Sequence, residues 1–514
     1  MSCASHCEVT PLATPDRIIG FIRQRAQPAW LVGGYVRDQL LGRSSHDLDV
    51  IVPEGGIRLA RAIAAAFDGA FFVLDSERDV GRAILRDEAG EALEVDVARL
   101  RLPDLAADLA LRDFTVNAIA LDIVADAAEP VLVDPFAGRA DLDRRLVRAV
   151  SDAAFVDDPL RMLRAVRQAI ELGFSIEEST FDLIRRDAAL LPQAAGERIR
   201  DELLRIISVP GAWLHVRLLA HLNLLEQVLP EAQTLIGVQQ SVPHYQDVFE
   251  HTRSVMAHLE GIYALLWPHS GYTRLAAVAG DATVLLDAGG WAWVSEVLSP
   301  YAGDLAGHLA QPLASSRLRR EWLLWAALMH DWGKPAKRSE DADGRSRFLE
   351  HDRWGALLAE HRGQELKLSA DEVSYLARLV DQHMRPGYLA RDFPPSRRAI
   401  YRFYCDVGTL GPDCALLGLA DHLAIHAPRI EPEHTRRRLE TTRILLEAFF
   451  RERATRVDPP LFLNGRAVMA AFNLQPGPEV GRRLEQLREA QAVGEVSSAE
   501  EALAWLAGRV ESGV

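Results

Sequence analysis

The sequence predicts an α+β head followed by an all-α body, and three observations carry that expectation. Short apolar runs with a period of two alternate with helical patterns up to about residue 150. From Asp158 onward the apolar spacing changes to three and four, as in Leu160, Leu163, Val166 and Ile170. At 514 residues the chain is too long for a single core, and strands followed by a long helical stretch is the pattern of an α+β chain with further helical domains.

In chain order, strands are expected at 29–32, 47–52, 70–74, 80–85 and 93–98, with a helix at 58–67 between the second and third. The first strand runs into Gly33-Gly34, and a helix then covers 35–41, with Gly42 as its C-terminal stop. Pro192, Pro210, Pro230 and Pro243 punctuate the helical region, and Leu463, Asn464 and Gly465 open a last segment of two helices.

Composition limits the function classes. A net charge of -15 argues against indiscriminate coating of nucleic acid, because a polyanion needs a local cationic surface. No apolar run approaches a membrane span, and the start of the chain has no stretch of signal-peptide length. The four cysteines are sparse, with only Cys3 and Cys7 at a metal-like spacing, which fits a reducing compartment and a cytoplasmic protein.

Chemistry enters at two places in the head. Two glycines before a helix let backbone N–H groups approach an anion at the positive helix end. In Asp47-Leu48-Asp49-Val50-Ile51-Val52, the period of two sends Asp47 and Asp49 to one face and Leu48, Val50 and Val52 into the core. Two adjacent carboxylates repel unless a cation lies between them, and hard divalent ions suit them. Glu94 and Asp96 share a face in the same way; either could supply a third carboxylate, with Glu94 the candidate, or both could be a solvated strand face. Asp158 before Pro159 reads first as a helix N-cap.

The string from Val32 to Arg43, with Asp47 and Asp49, resembles the signature of class II CCA-adding enzymes and bacterial poly(A) polymerases. Arg112 to Ala118 is similar to that family's second motif, and Asp134-Pro135 with Gly138, Asp141 and Leu142 to its third. Asp157 to Arg167 resembles the nucleotide-reading motif, and Glu197-Arg198 with Glu202 the one after it. The resemblance implies a polymerase-β-like nucleotidyltransferase head in which Asp47 and Asp49 bind Mg²⁺. It implies that Gly33, Gly34 and Arg37 hold the triphosphate, and that Arg112, Asp113 and Asn117 contact phosphate or ribose; Asp113 or Thr115 as a helix cap is the plainer alternative. Asp158 and Arg161 would read the base edge of cytosine or adenine, with Arg164 and Arg167 beside them. The implied partners are CTP, ATP and the 3′ end of tRNA; no membrane and no obligate protein partner is inferred.

Departures narrow the reading. Asp157 stands where the family usually has glutamate, and Leu111 replaces an arginine. The connector 99–112 is short where the family carries a loop associated with switching from C to A addition. Addition of A only, or of CC only, therefore stays open beside complete CCA synthesis, as does poly(A) synthesis.

His251, His330-Asp331 before Gly333-Lys334, and Asp421 resemble the HD superfamily, with His351 and His383 fitting a second ion or a phosphate. Mixed imidazole and carboxylate ligation implies a divalent transition metal, and a metal-bound hydroxide would hydrolyse phosphoesters such as a 2′,3′-cyclic phosphate. An inactive fold that only positions tRNA is the alternative, and an HD phosphohydrolase whose head merely recruits RNA is a reading from another class. The tail from Leu463 to Arg483 is similar to the C-terminal segment of HD-bearing members, with Arg482 and Arg483 as candidate RNA contacts. The expected organisation is a nucleotidyltransferase head (1–150), a helical neck with the base-reading motif (151–235), an HD-type helical domain (236–435) and a helical tail (436–514).

Overall fold

The computed structural model describes residues 13–87, 89–123, 131–273, 288–314, 317–426 and 432–511. Cys3 and Cys7 lie outside them, as does part of 261–320, a stretch between His251 and His330 in which the sequence carries no readable motif. The chain divides into two compact units, residues 1–194 and 195–514, so the division falls within the stretch read as the neck.

The first unit is built on one seven-stranded sheet. In chain order it comprises α1 (Pro15–Arg23), β1 (Trp30–Val32), α2 (Gly34–Leu40), β2 (Asp47–Val52), α3 (Gly56–Ala66), β3 (Ala70–Asp75), β4 (Val80–Arg86) and β5 (Ala92–Arg99). There follow α4 (Leu105–Leu109), β6 (Ala120–Asp122), β7 (Val131–Val133), α5 (Gly138–Arg144), α6 (Ala154–Asp157) and α7 (Arg161–Leu172). The sheet order is β3-β4-β5-β2-β1-β6-β7, with β2 and β5 parallel and the other pairs antiparallel. Leu48, Val50 and Val52 of β2 and Leu93, Val95 and Val97 of β5 are buried, as alternation requires.

α3 covers the sheet where Gly81 gives it room: a Cβ there would lie 2.9 Å from that of Ala60. The Asp79 carboxylate accepts N–H bonds from Gly55, Gly56 and Ile57 at 2.8–3.0 Å, satisfying the open donors of the first turn of α3. Those bonds hold the Asp79 carboxyl below its usual range although burial opposes the shift.

The second unit is helical. The helix Val248–Leu266 is buried along most of its length and packs on Gly411–His426, Arg319–Met329 and Ala212–His221. The tail has its own core, in which Leu463, Val468, Val480, Leu487 and Leu506 meet. Among the described residues no helix is long and apolar enough to cross a membrane.

Candidate active site and metal centre

In the head, pairing places the chemistry. Val32 at the end of β1 stands opposite Asp49 of β2, so the chain turns at Gly33 directly against the Asp49 carboxylate. Gly33 has φ +71°, and a Cβ on it would lie 2.5 Å from Asp49 Oδ2 and 2.7 Å from an Arg112 Nη1. Only glycine tolerates that close approach and that backbone. The parallel register sets Asp47 beside Glu94 and Asp49 beside Asp96, so four carboxylates share one strip of sheet. Burial pushes the Asp49 carboxyl up to about 6, with Arg112 opposing and Asp47 and Asp96 adding to the rise. Asp47 is raised by burial, then by Asp96 and Glu94. Paired acids that resist ionisation together are the donor set a divalent cation relieves.

Arg82 of β4 grips the second acidic pair. It holds Asp96 at 2.7 and 2.8 Å through two N–H donors and also contacts Glu94. Asp96, opposite Asp49 in the parallel register, stands beside Glu94 as a candidate third carboxylate.

Beyond β2 a cleft of about 320 Å³ is lined by Arg112, Asp113, Asp158, Arg161 and Arg164, and by Arg78, Arg99, Arg101 and Asp108. Its polar side chains are cross-braced. Arg164 pairs with Asp113 at 2.9 Å, Asn117 donates to Asp113 and Gln168, and Arg37 donates to Asn117 at 2.9 Å. This chain ties α2 to α7 through the turn at 115–117. Arg161 donates to the backbone carbonyls of Leu111, Arg112 and Ala154, at 2.6–3.3 Å, which clips the short connector to α7.

The capping alternatives come out differently. Asp158 accepts from Leu160 N–H at 3.2 Å, but the regular helix begins at Arg161, two residues later than a cap at Asp158 implies. Neither Asp113 nor Thr115 caps a helix: Thr115 donates to Asp141 at 2.7 Å, and Asp113 belongs to Arg164 and Asn117. Arg167 is buried and pairs with Glu171 at 2.7 Å, and it is not among the cleft-lining residues. In the tail, Arg482 and Arg483 both pair with Glu479; Arg482 is exposed, while Arg483 packs over the Phe472 ring.

The histidine set converges from five helices. Among the described residues two groups have mutually close ligand atoms: His251, His330 and Asp331, and then Asp331, His351 and His383. Asp331 is common to both. His251 Nε2 lies 3.0 Å from Asp421 Oδ1 and 3.7 Å from Asp331 Oδ2, and His351 Nε2 lies 3.4 Å from Asp331 Oδ1. The Nδ1 atoms of His330, His351 and His383 bond the carbonyls of Ala327, Phe348 and Val380 at 2.6–2.8 Å. That fixes the orientation of each ring and turns each Nε2 into the cluster, where it offers a lone pair whenever the ring is neutral. His330 Nε2 and His351 Nε2 are buried and make no hydrogen bond of good geometry, each facing an Asp331 oxygen at 3.1 and 3.4 Å, an arrangement that suits metal ligation. Burial pushes His383 down to about 3, so its ring stays neutral, and His330 and Lys334 hold Asp331 ionised against burial. The cluster opens into a cavity of about 420 Å³, with Lys334, Gln240, His244 and Arg345 on its wall. Lys334 bridges Asp331 and Gln240 at 2.7 Å each.

Comparison with known proteins follows the same division. Residues 29–148 match the poly A polymerase head domain, 173–235 a probable RNA- and SrmB-binding site of polymerase A, and 296–424 the HD domain. His251 lies upstream of the matched HD span. The chain is 37% identical to an A-adding tRNA nucleotidyltransferase of Deinococcus radiodurans, over 93% of this chain and 94% of that one. It is 31% identical to a CC-adding tRNA nucleotidyltransferase of Geobacter sulfurreducens, over 96% and 94%. Among solved structures, a CCA-adding enzyme in its apo form superposes with TM-score 0.61 at 19% identity, over 96% of this chain and 93% of that one. A Thermotoga maritima CCA-adding enzyme complexed with tRNA gives TM-score 0.59 at 18% identity, over 97% and 96%. The structural likeness establishes the fold.

Proposed function

We propose, from the premise that this chain belongs to the tRNA nucleotidyltransferase family, that it transfers nucleotides from CTP or ATP to the 3′ end of tRNA without a nucleic-acid template. The observation that carries the reading is Asp47 and Asp49 side by side against Gly33, next to an arginine-rich cleft. Mg²⁺ held by Asp47 and Asp49 would supply the charge that acidifies the acceptor hydroxyl and steadies the departing pyrophosphate. The chain's own residues do the rest. Gly33 and Gly34 present a bare backbone to the triphosphate, and Arg37 and Arg112 frame it.

Asp158 and Arg161 read the base. Three carbonyls take three of the five guanidinium N–H donors of Arg161, so two are left, in a fixed plane, for a base edge. A donor pair and a carboxylate acceptor suit cytosine or adenine, and mismatched edges would leave a buried polar group unpaired. A fixed Arg161 and a short connector favour one stage of the sequence, either CC or A, over all three additions. The two full-length relatives described above, one A-adding and one CC-adding, support that choice.

The second unit, in this reading, binds a divalent transition metal through His251, His330, Asp331 and Asp421, with His351 and His383 serving a second ion, and hydrolyses phosphoesters. The buried Nε2 atoms facing Asp331 support metal binding. Residues 436–514, with Arg482 as the exposed cation, would touch tRNA, and the protein would work in the cytoplasm. Asp47→Asn and Asp49→Asn test the head: each should abolish addition while tRNA binding persists, and near-native addition by either would overturn the assignment.

A further inference from the structure

The cleft beside Asp49 is charged against the trend of the chain. It is lined by six arginines and three aspartates, in a protein whose net charge is -15. The arginines fall into two groups. Arg112 is buried, Arg161 is clipped to three carbonyls, and Arg164 is paired with Asp113. These are tied into the protein and shape the pocket. Arg78 and Arg99, from the β3–β4 turn and the end of β5, are exposed on the rim. The Arg78 side chain is 72% accessible and pairs with Asp75 only at 3.6 Å; Arg99 donates to the Glu77 carbonyl at 3.5 Å. Arg101, on the connector, is anchored to the buried Asp108.

We infer that Arg78 and Arg99 form a binding site for the phosphodiester backbone of the RNA acceptor strand. This rests on the nucleotidyltransferase reading. If the triphosphate lies at Gly33, Asp47 and Asp49 and the base at Asp158 and Arg161, the rim arginines are left over from both. A 3′-hydroxyl attacking the α-phosphate brings with it the phosphates of the preceding nucleotides, at successive backbone steps outside the pocket. Exposed, long, cationic side chains at a cleft mouth suit such a chain of phosphates, which gives position and affinity but carries no sequence information. The pairing with Asp75 is exposed and easily exchanged for phosphate.

The test uses the full-length protein with Arg78→Ala, Arg99→Ala, the double variant, and Arg78→Lys with Arg99→Lys. Rates are measured with truncated tRNA varied at saturating nucleotide, and with nucleotide varied at saturating tRNA. Filter binding of the same tRNA is followed across salt concentrations. The double alanine variant should raise KM for tRNA about tenfold and flatten the slope of log affinity against log salt by about 1.4, roughly 0.7 per lost single-strand phosphate contact. KM for nucleotide should stay within about twofold, and the double lysine variant should restore the slope. A rise in KM for nucleotide with tRNA binding unchanged would assign these arginines to the triphosphate and overturn the inference. Unchanged tRNA affinity and salt slope would do the same, by leaving only a solvated rim. Filter binding separates the two ideas: wild-type protein that binds tRNA through these arginines but adds nothing would refute the reading of the head and leave this site standing.

Discussion

Replacing Gly33 by alanine probes the head at its tightest point. The added Cβ would sit 2.5 Å from Asp49 Oδ2 and 2.7 Å from Arg112 Nη1, where ordinary contacts are about an ångström longer. Its φ of +71° with ψ -139° is a conformation that side-chain-bearing residues rarely adopt, adding about 1–3 kcal/mol of backbone strain. Strain of that size should lower the melting temperature by several degrees, given the usual dependence for large domains of about 2–4 °C per kcal/mol. Catalysis should suffer far more, because Asp49 must move by about 1 Å, and misplacement on that scale costs about a hundredfold. Gly34→Ala is the internal control. A Cβ there would meet only the Arg37 guanidinium, at 3.5 Å, an ordinary contact at the first position of α2. Single-turnover addition at saturating nucleotide and Mg²⁺, with thermal melting of each variant, is the assay. The expected result is a loss of about a hundredfold for Gly33→Ala and a few-fold for Gly34→Ala. Equal rates for the two variants, or a Gly33→Ala protein within about threefold of wild type, would refute the claim that the glycine exists to admit Asp49.

Arg161→Ala should lose discrimination of CTP or ATP from UTP or GTP in a four-nucleotide competition. It should also destabilise the first unit by about 2 kcal/mol, because three carbonyls lose a charged donor; a stability change with discrimination intact would reduce Arg161 to a structural clip. Protons and Mg²⁺ compete for Asp49, whose carboxyl is raised to about 6, so metal affinity is retained above that pH and lost below it. The Mg²⁺ concentration for half-maximal rate should be about tenfold higher at pH 5 than at pH 7, and a pH-independent requirement would contradict the site. His330→Ala with Asp331→Ala should remove a bound transition metal, measured by mass spectrometry, and any phosphohydrolase activity, with addition kept within a few-fold. A folded double variant that loses addition would show that the HD region belongs to the polymerising machinery.

Local pattern was enough for most elements. The strands expected at 47–52 and 80–85 form as Asp47–Val52 and Val80–Arg86, because alternation and burial agree there. The candidate HD residues are visible as residue types, yet nothing local signals that Asp331 is common to both histidine groups, since that depends on four helices meeting. Arg82, Gln168 and the rim pair Arg78 and Arg99 were missed for the same reason: their roles arise from strand register and from packing between distant segments. The parallel pairing of β2 with β5, which sets Asp96 against Asp49, has no local signature either. Arg167 carries two signals: its motif points to the nucleotide, and its helical spacing pairs it with Glu171 four residues on.

The central claim is tested by offering the purified protein tRNAs that lack the last one, two or three nucleotides, each with CTP, ATP or both, and sequencing the products. The account predicts extension at one stage only: either two C added to the shortest tRNA and a stop before A, or a single A added only where CC is already present. Synthesis of complete CCA on the shortest tRNA, or no addition to any of them, would contradict it.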